Sequence, residues 1–199
     1  MSGNILLTQR IDHVADRHEW RDSIDRRWLT LVEQAGYMPI VASNIGSGIE
    51  TYVNSLDIKG IIFTGGNSLL NYGGDAKVRD ITEKCLLNLA IKKKLPVLGV
   101  CRGMQLIQDK WQTQLVQLNG HIQREQTVMI NNSAEQVNSY HQWGSFEATQ
   151  DFNIFAVSMD NVVKGIKHNE LPITAIMWHP ERIEPFREQD IMLLKALFN

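Results

Sequence analysis

Apolar residues in the first half of the chain fall in short dense runs separated by polar stretches. Ile5-Leu6-Leu7-Thr8 predicts a first strand. From Trp20 to Ala35, the residues Ile24, Trp28, Leu31, Val32 and Ala35 recur at helical spacing, which predicts a helix stopped by Gly36. Met38-Pro39-Ile40-Val41 reads as a second strand, and Ile58 to Phe63 as a third ending at the Gly65-Gly66 pair. A helix is expected over residues 75–92. Pro96-Val97-Leu98-Gly99-Val100 is apolar throughout and bounded by turn signals, the pattern of a parallel strand buried on both faces.

Beyond residue 113 the runs shorten and begin to alternate. Gln114 to Leu118, Thr127 to Ile130, Glu135 to Asn138, Phe155 to Ser158 and Val162 to Ile166 are expected as antiparallel strands at one side of the sheet. Ile173 to Trp178 returns as a buried strand, and Arg187 to Phe198 as a closing helix. Strands alternating with helices imply βαβ units, hence an α/β three-layer sandwich with a mostly parallel central sheet and a smaller antiparallel section. No repeat or Pro/Ser-rich linker interrupts the chain, so residues 1–199 are expected to form a single domain.

Composition narrows the function classes. With 20 basic and 22 acidic residues the formal charge is -2, which gives no electrostatic footprint for nucleic acid or an anionic membrane as main partner. No apolar run reaches the roughly 18 residues of a spanning helix, and the N-terminus lacks a basic segment followed by an apolar one. A soluble, cytoplasmic protein is expected. Two cysteines are too few for a disulfide-stapled secreted domain, so Cys85 and Cys101 read as reduced thiols.

The segment Gly99-Val100-Cys101-Arg102-Gly103 is G-x-C-x-G, the cysteine counterpart of the nucleophile elbow. A strand turning sharply into a helix pushes the nucleophile out at the strand's C-terminal end, where open α/β sheets bind ligands. The helix N-terminus behind it favours thiolate over thiol. The Arg102 N–H is the expected first oxyanion donor, with a second expected from the Gly65-Gly66 turn at Gly66. Each donor contributes on the order of 3 kcal/mol to the transition state. Cys85, on the apolar side of its helix, is expected to be structural.

A thiol nucleophile needs a base, and the base an orienting group. His13, His18 and His168 fall in polar segments and are expected at the surface; His121 sits in a loop and is left open. His179 follows the strand 173–178, and Pro180 ends that strand just before Glu181, so a histidine and a carboxylate emerge together. His141 is the other contender for base on the residues alone.

Gly-Val-Cys-Arg-Gly-Met-Gln at 99–105 and Trp-His-Pro-Glu-Arg at 178–182 together resemble the class I glutamine amidotransferases and the related γ-glutamyl hydrolases. The similarity of layout runs over nearly the whole chain and implies their flavodoxin-like fold. It implies Cys101 as nucleophile, His179 as base and later acid, and Glu181 as its orienter. It also assigns Gln105 to the glutamyl moiety, with Gly65 beside it. The segment Asn138-Ser139-Tyr140-His141 then takes the α-amino and α-carboxylate groups through backbone contacts, which leaves His141 a binding residue.

The N-terminal Leu7-Thr8-Gln9-Arg10 and the segment 19–28 resemble γ-glutamyl-γ-aminobutyrate hydrolase-like proteins. The short chain also resembles the γ-glutamyl-CDP-amidate hydrolases of capsule biosynthesis. Arg10, and with it Arg21, is then expected where the leaving group lies, since a guanidinium suits carboxylate or phosphate; Arg26 and Arg27 read as a solvated face. The resemblance implies a small-molecule γ-glutamyl substrate, no metal or organic cofactor and a homodimer as one assembly. Its alternative is a glutaminase subunit that feeds ammonia to a synthetase partner.

Overall fold

The computed structural model describes residues 2–199. In chain order its strands and helices are β1 (Asn4–Leu7), β2 (Arg10–Val14), β3 (Glu19–Ser23), α1 (Arg27–Gln34), β4 (Met38–Val41), α2 (Ile49–Asn54), β5 (Ile58–Phe63), α3 (Lys77–Lys93) and β6 (Val97–Val100). The second half contains α4 (Arg102–Lys110), β7 (Val116–Gln117), β8 (Ile122–Ile130), β9 (Ser133–Tyr140), β10 (Trp143–Gly144), β11 (Phe152–Ser158), β12 (Val163–His168), β13 (Ile173–Ile176) and α5 (Glu188–Phe198).

Nine strands form one mixed sheet in the order β4-β1-β5-β6-β13-β12-β11-β8-β9. The β4, β1, β5, β6 and β13 strands pair in parallel, and β13, β12, β11, β8 and β9 pair antiparallel. β13 belongs to both sections. Period-two alternation in the parallel strands feeds two apolar layers: Leu6, Ile61 and Phe63 point to the side of α2, α3 and α4, whereas Ile5, Leu7 and Ile62 point to the side of α1 and α5. Helices therefore cover both faces, as the α/β three-layer pattern predicts. Both layers continue under the antiparallel strands through Val163 and Ile166 on one face, and Val128, Val137 and Ala156 on the other.

The sequence expectation fails most clearly between residues 10 and 26. Instead of a helix from Trp20, β2 and β3 form an antiparallel hairpin, registered from Arg10 opposite Ser23 to Val14 opposite Glu19. α1 starts only at Arg27, where the Asp25 carboxylate receives the Arg27 N–H at 3.0 Å and supplies the start signal. Of the apolar stripe used to predict the helix, Ile24 lies before it. The short α2 was not anticipated, and β8, β9 and β11 are longer than expected. No helix among the described residues is long and apolar enough to cross a membrane.

Candidate active site

The loops at the C-terminal ends of β1, β5, β6 and β13 converge on Cys101. Cys101 directly follows β6, its N–H bonded to the Ile176 carbonyl of β13 at 2.8 Å, and its carbonyl accepts the Gln105 N–H at 3.1 Å to begin α4. Its backbone lies at φ 53°, ψ -103°, a conformation that a residue with a Cβ adopts only under strain. The flanking glycines are fixed by close approach. A Cβ on Gly103 would stand 2.1 Å from the Phe63 carbonyl oxygen, and one on Gly99 would stand 2.6 Å from Ile107. α4 can thus press its first turn onto β5 and β6, which is what turns the cysteine outward.

His179 lies three residues past β13, where the Trp178 indole N–H anchors the segment to Asp190 on α5 at 3.0 Å. The next turn, Pro180–Arg182, is a single turn of 3₁₀ helix, and it folds Glu181 back so that its Oε1 accepts the His179 Nδ1–H at 2.8 Å. Asn138 of β9 grips the histidine backbone from the other side: its Oδ1 accepts the His179 N–H at 2.7 Å and its Nδ2 donates to the His179 carbonyl at 2.8 Å. With Nδ1 committed to Glu181, Nε2 is the nitrogen left for the adjacent Cys101 sulfur. All three side chains are buried.

Burial alone would push the Cys101 thiol up, but the adjacent His179 ring and the Arg102 N–H outweigh it and hold the thiol below its ordinary value. Burial likewise works against charge on His179, yet Cys101 and Glu181 together raise it to about 9. The two act as one coupled thiolate–imidazolium pair.

The Gly65-Gly66 turn faces this pair. A Cβ on Gly65 would stand 2.6 Å from His179 Cε1, so the absence of a side chain here seats the imidazole. The buried Arg79 of α3 donates to the carbonyls of Thr64 at 2.8 Å, Gly65 at 3.0 Å and Gly66 at 2.6 Å. Across a planar trans peptide the N–H points opposite to the C=O, so drawing the Gly65 carbonyl toward Arg79 turns the Gly66 N–H away from it. Arg79 also bonds Glu83, which accepts from Thr8 at 2.7 Å and pairs with Arg102; Arg102 in turn pairs with Asp80. Two arginines and two carboxylates, all buried, thus link the Gly65-Gly66 turn to the start of α4 from beneath.

The remaining sequence-derived residues gather around the same point in different ways. Gln105 donates from Nε2 to the Trp143 carbonyl at 2.9 Å, and His141 donates from Nδ1 to that carbonyl at 3.0 Å. Burial and neighbouring cations push His141 down to about 3, so it stays neutral, with its Nε2 occupied by Lys164. Ser139 turns its hydroxyl to the His121 carbonyl at 2.8 Å. The Tyr140 ring lies edge-on to His179 and carries the Arg182 guanidinium over its face. Arg10 lines a cleft of about 250 Å³ with Asp12, Trp28, Gly65, Gly66 and Glu181. Its guanidinium is paired with Asp12 at 2.8 Å. Arg21 pairs with Glu19 and does not line that cleft.

One histidine expectation changes, and one left open is resolved. His168 is buried, packed between Trp111 and Phe152, and its Nδ1 accepts the Glu170 and Leu171 N–H groups at 3.0 Å. Its polar neighbours in sequence belong to an edge turn, while its ring points inward. His121, left open by sequence, is buried and hydrogen-bonded to Asp160. Arg79, Asp80, Glu83 and Lys164 were not singled out from sequence, although the Arg79 to Glu83 spacing of four on a helix is the signal of a paired face.

The chain belongs to the class I glutamine amidotransferases, whose family model matches residues 22–197. It is 28% identical to the γ-glutamyl-CDP-amidate hydrolase of Campylobacter jejuni over 98% of this chain and 97% of that one. A glutamine-hydrolysing GMP synthase subunit of Methanococcus aeolicus is 26% identical over 63% of this chain and 65% of its own length. Among solved structures, PurLQS of Thermotoga maritima superposes with a TM-score of 0.68 at 15% identity, covering 98% of each chain. A Thermoplasma acidophilum protein described as a GMP synthase subunit gives 0.73 at 20% identity, covering 99% of this chain and 94% of that one. These two likenesses show the fold.

Proposed function

We propose that the chain, acting as one domain, hydrolyses a γ-glutamyl amide through a cysteine thioester. The observation that carries this reading is the buried His179 imidazole, bonded to Glu181 on one side and set on the other beside a cysteine held at a strained strand-to-helix turn. The Cys101 thiolate attacks the γ-carbonyl, and the tetrahedral oxyanion is held by the N–H groups of Arg102 and Gly66. His179 gives its Nε2 proton to the leaving nitrogen, whose bond to the γ-carbon breaks. Water, deprotonated by the now neutral His179, then attacks the thioester and releases glutamate and the thiolate. Gly65, Gln105 and the 138–141 segment form the glutamyl wall, with Asn138 positioning His179 and His141 serving binding and not proton transfer.

The leaving group lies in the cleft beside Arg10. A cytidine diphosphoramidate is favoured over γ-aminobutyrate by the full-length similarity to the Campylobacter jejuni hydrolase. A second reading, a glutaminase that supplies ammonia to a synthetase, is favoured by the similarity to GMP synthase subunits. The test is kcat/KM on glutamine, γ-glutamyl-γ-aminobutyrate and γ-glutamyl-CDP-amidate, with Cys101→Ala and His179→Asn alongside. The amidate is expected to be the best substrate, and each variant to lose about a thousandfold or more, whereas His141→Asn mainly raises KM. Full turnover by Cys101→Ala ends the thioester reading; a preference for glutamine that strengthens on adding a synthetase moves the assignment to the second.

A further inference from the structure

Lys164 interrupts an apolar run on β12, between Val163 and Gly165, and its side chain is buried. No carboxylate among the described residues lies within ion-pairing distance of it. Its three N–H bonds are instead taken by His121 Nδ1 at 2.9 Å, Ser139 Oγ at 3.2 Å and His141 Nε2 at 2.6 Å. Burying an ammonium without a carboxylate in direct contact is unfavourable, and a residue that merely filled this space would be apolar like its neighbours.

The consequence lies in what the ammonium does to the imidazoles. A donor at His141 Nε2 forces that nitrogen to be an acceptor, so the proton sits on Nδ1, where it bonds the Trp143 carbonyl. The same carbonyl accepts the Gln105 side-chain amide. His121 is fixed in the opposite tautomer, its Nε2–H on Asp160. A continuous chain of hydrogen bonds therefore runs from Lys164 through His141 and the Trp143 carbonyl to Gln105, one turn into the elbow helix.

We propose that Lys164 is a positioning residue for glutamyl binding: its ammonium locks His141 in a single tautomer and thereby sets the Trp143 carbonyl, Gln105 and the end of β9. This rests on the γ-glutamyl reading for its functional half, while the lock itself does not. The charged and titratable groups facing Lys164 are His121 before β8, Asp160 after β11, His141 after β9, and Cys101 at the elbow. Burial pushes Lys164 down to about 8, so the ammonium is the resting form at neutral pH.

Lys164→Met keeps the stem and deletes the donor. Histidine-labelled protein followed by NMR reports the His141 tautomer and its titration, and steady-state kinetics on γ-glutamyl-CDP-amidate and glutamine report KM and kcat separately. In the unaltered protein His141 should hold its proton on Nδ1 from pH 5 to 8. In Lys164→Met it should lose that tautomer and titrate close to the ordinary histidine range, with KM raised about tenfold and kcat changed by less than about threefold. Lys164→Gln, which retains N–H donors, should restore most of both and serves as the working variant if Lys164→Met does not fold. An unchanged His141 tautomer overturns the lock whatever the turnover. A lost tautomer with unchanged KM, or a fall in kcat alone, overturns the positioning role. If the unaltered protein turns over neither substrate, the γ-glutamyl reading falls, and the NMR result still decides the lock.

Discussion

At Cys101 and His179, burial and charge pull in opposite directions, and charge wins for both residues. The reactive pair exists between the lowered cysteine value and the histidine value of about 9. The rate profile of kcat/KM should therefore rise with pH below the ordinary thiol range, and fall as pH passes about 9 and the imidazolium is lost. Glu181 is one of the groups that raise His179, so Glu181→Gln should move the upper limb to lower pH; an unmoved limb would show that the carboxylate does not act on the base. The same shift is linked to stability. Because the folded value of His179 is raised, its contribution is fully present below the unfolded value of about 6.5 and fades as pH climbs through about 9. Cys101, His179 and Glu181 were readable from sequence because each is announced by its immediate neighbours, the glycines at 99 and 103 and the proline at 180. Lys164 was not, because its partners come from sequence distances of 23 to 43 residues.

Among the elements, α3 does the most to hold the site without touching it. Arg79, Asp80 and Glu83 fall on one face of the helix, and that face points inward, where Arg79 ties down the Gly65-Gly66 turn and Glu83 and Asp80 hold Arg102 at the start of α4. Glu83→Gln leaves the buried Arg79 without a carboxylate partner and Arg102 with Asp80 alone. Removing one partner of a buried ion pair costs about 3–5 kcal/mol, so urea unfolding should report a loss of that size. A loss under about 1 kcal/mol would mean that water reaches the cluster and screens it. Charged residues on a long helix ordinarily face solvent, and the pattern along α3 gives no strong apolar stripe to say otherwise, which is why this inward face escaped the sequence. The β2–β3 hairpin escaped for a related reason. Its second strand, Glu-Trp-Arg-Asp-Ser, is almost wholly polar and mostly exposed, so no alternation marks it. Ile24 and Trp28 continued a helical spacing backward past its true start.

In the whole molecule, the proposed catalytic residues come from the seam between two kinds of sheet. β6 and β13, the last parallel pair, deliver Cys101 and His179, while the antiparallel section beyond β13 brings Asn138, His141 and Lys164 up to them. The parallel half was legible because continuous apolar strands and intervening helices define it. The antiparallel half was legible in kind but not in extent, since β8 and β9 carry long exposed stretches whose ladder is set by each other and not by a core. The strained backbone at Cys101 is stored work that this whole assembly sustains, and it implies that function and robustness are opposed at that position. A chain selected only for sturdiness would place glycine there. Cys101→Ala and Cys101→Gly both delete the thiol, yet only glycine relaxes at φ 53°, which offsets strain of about 1–3 kcal/mol. The glycine variant should therefore melt above the alanine variant, reversing their usual order, and the gap between the two melting curves measures what the fold gives up to hold a side chain at this turn.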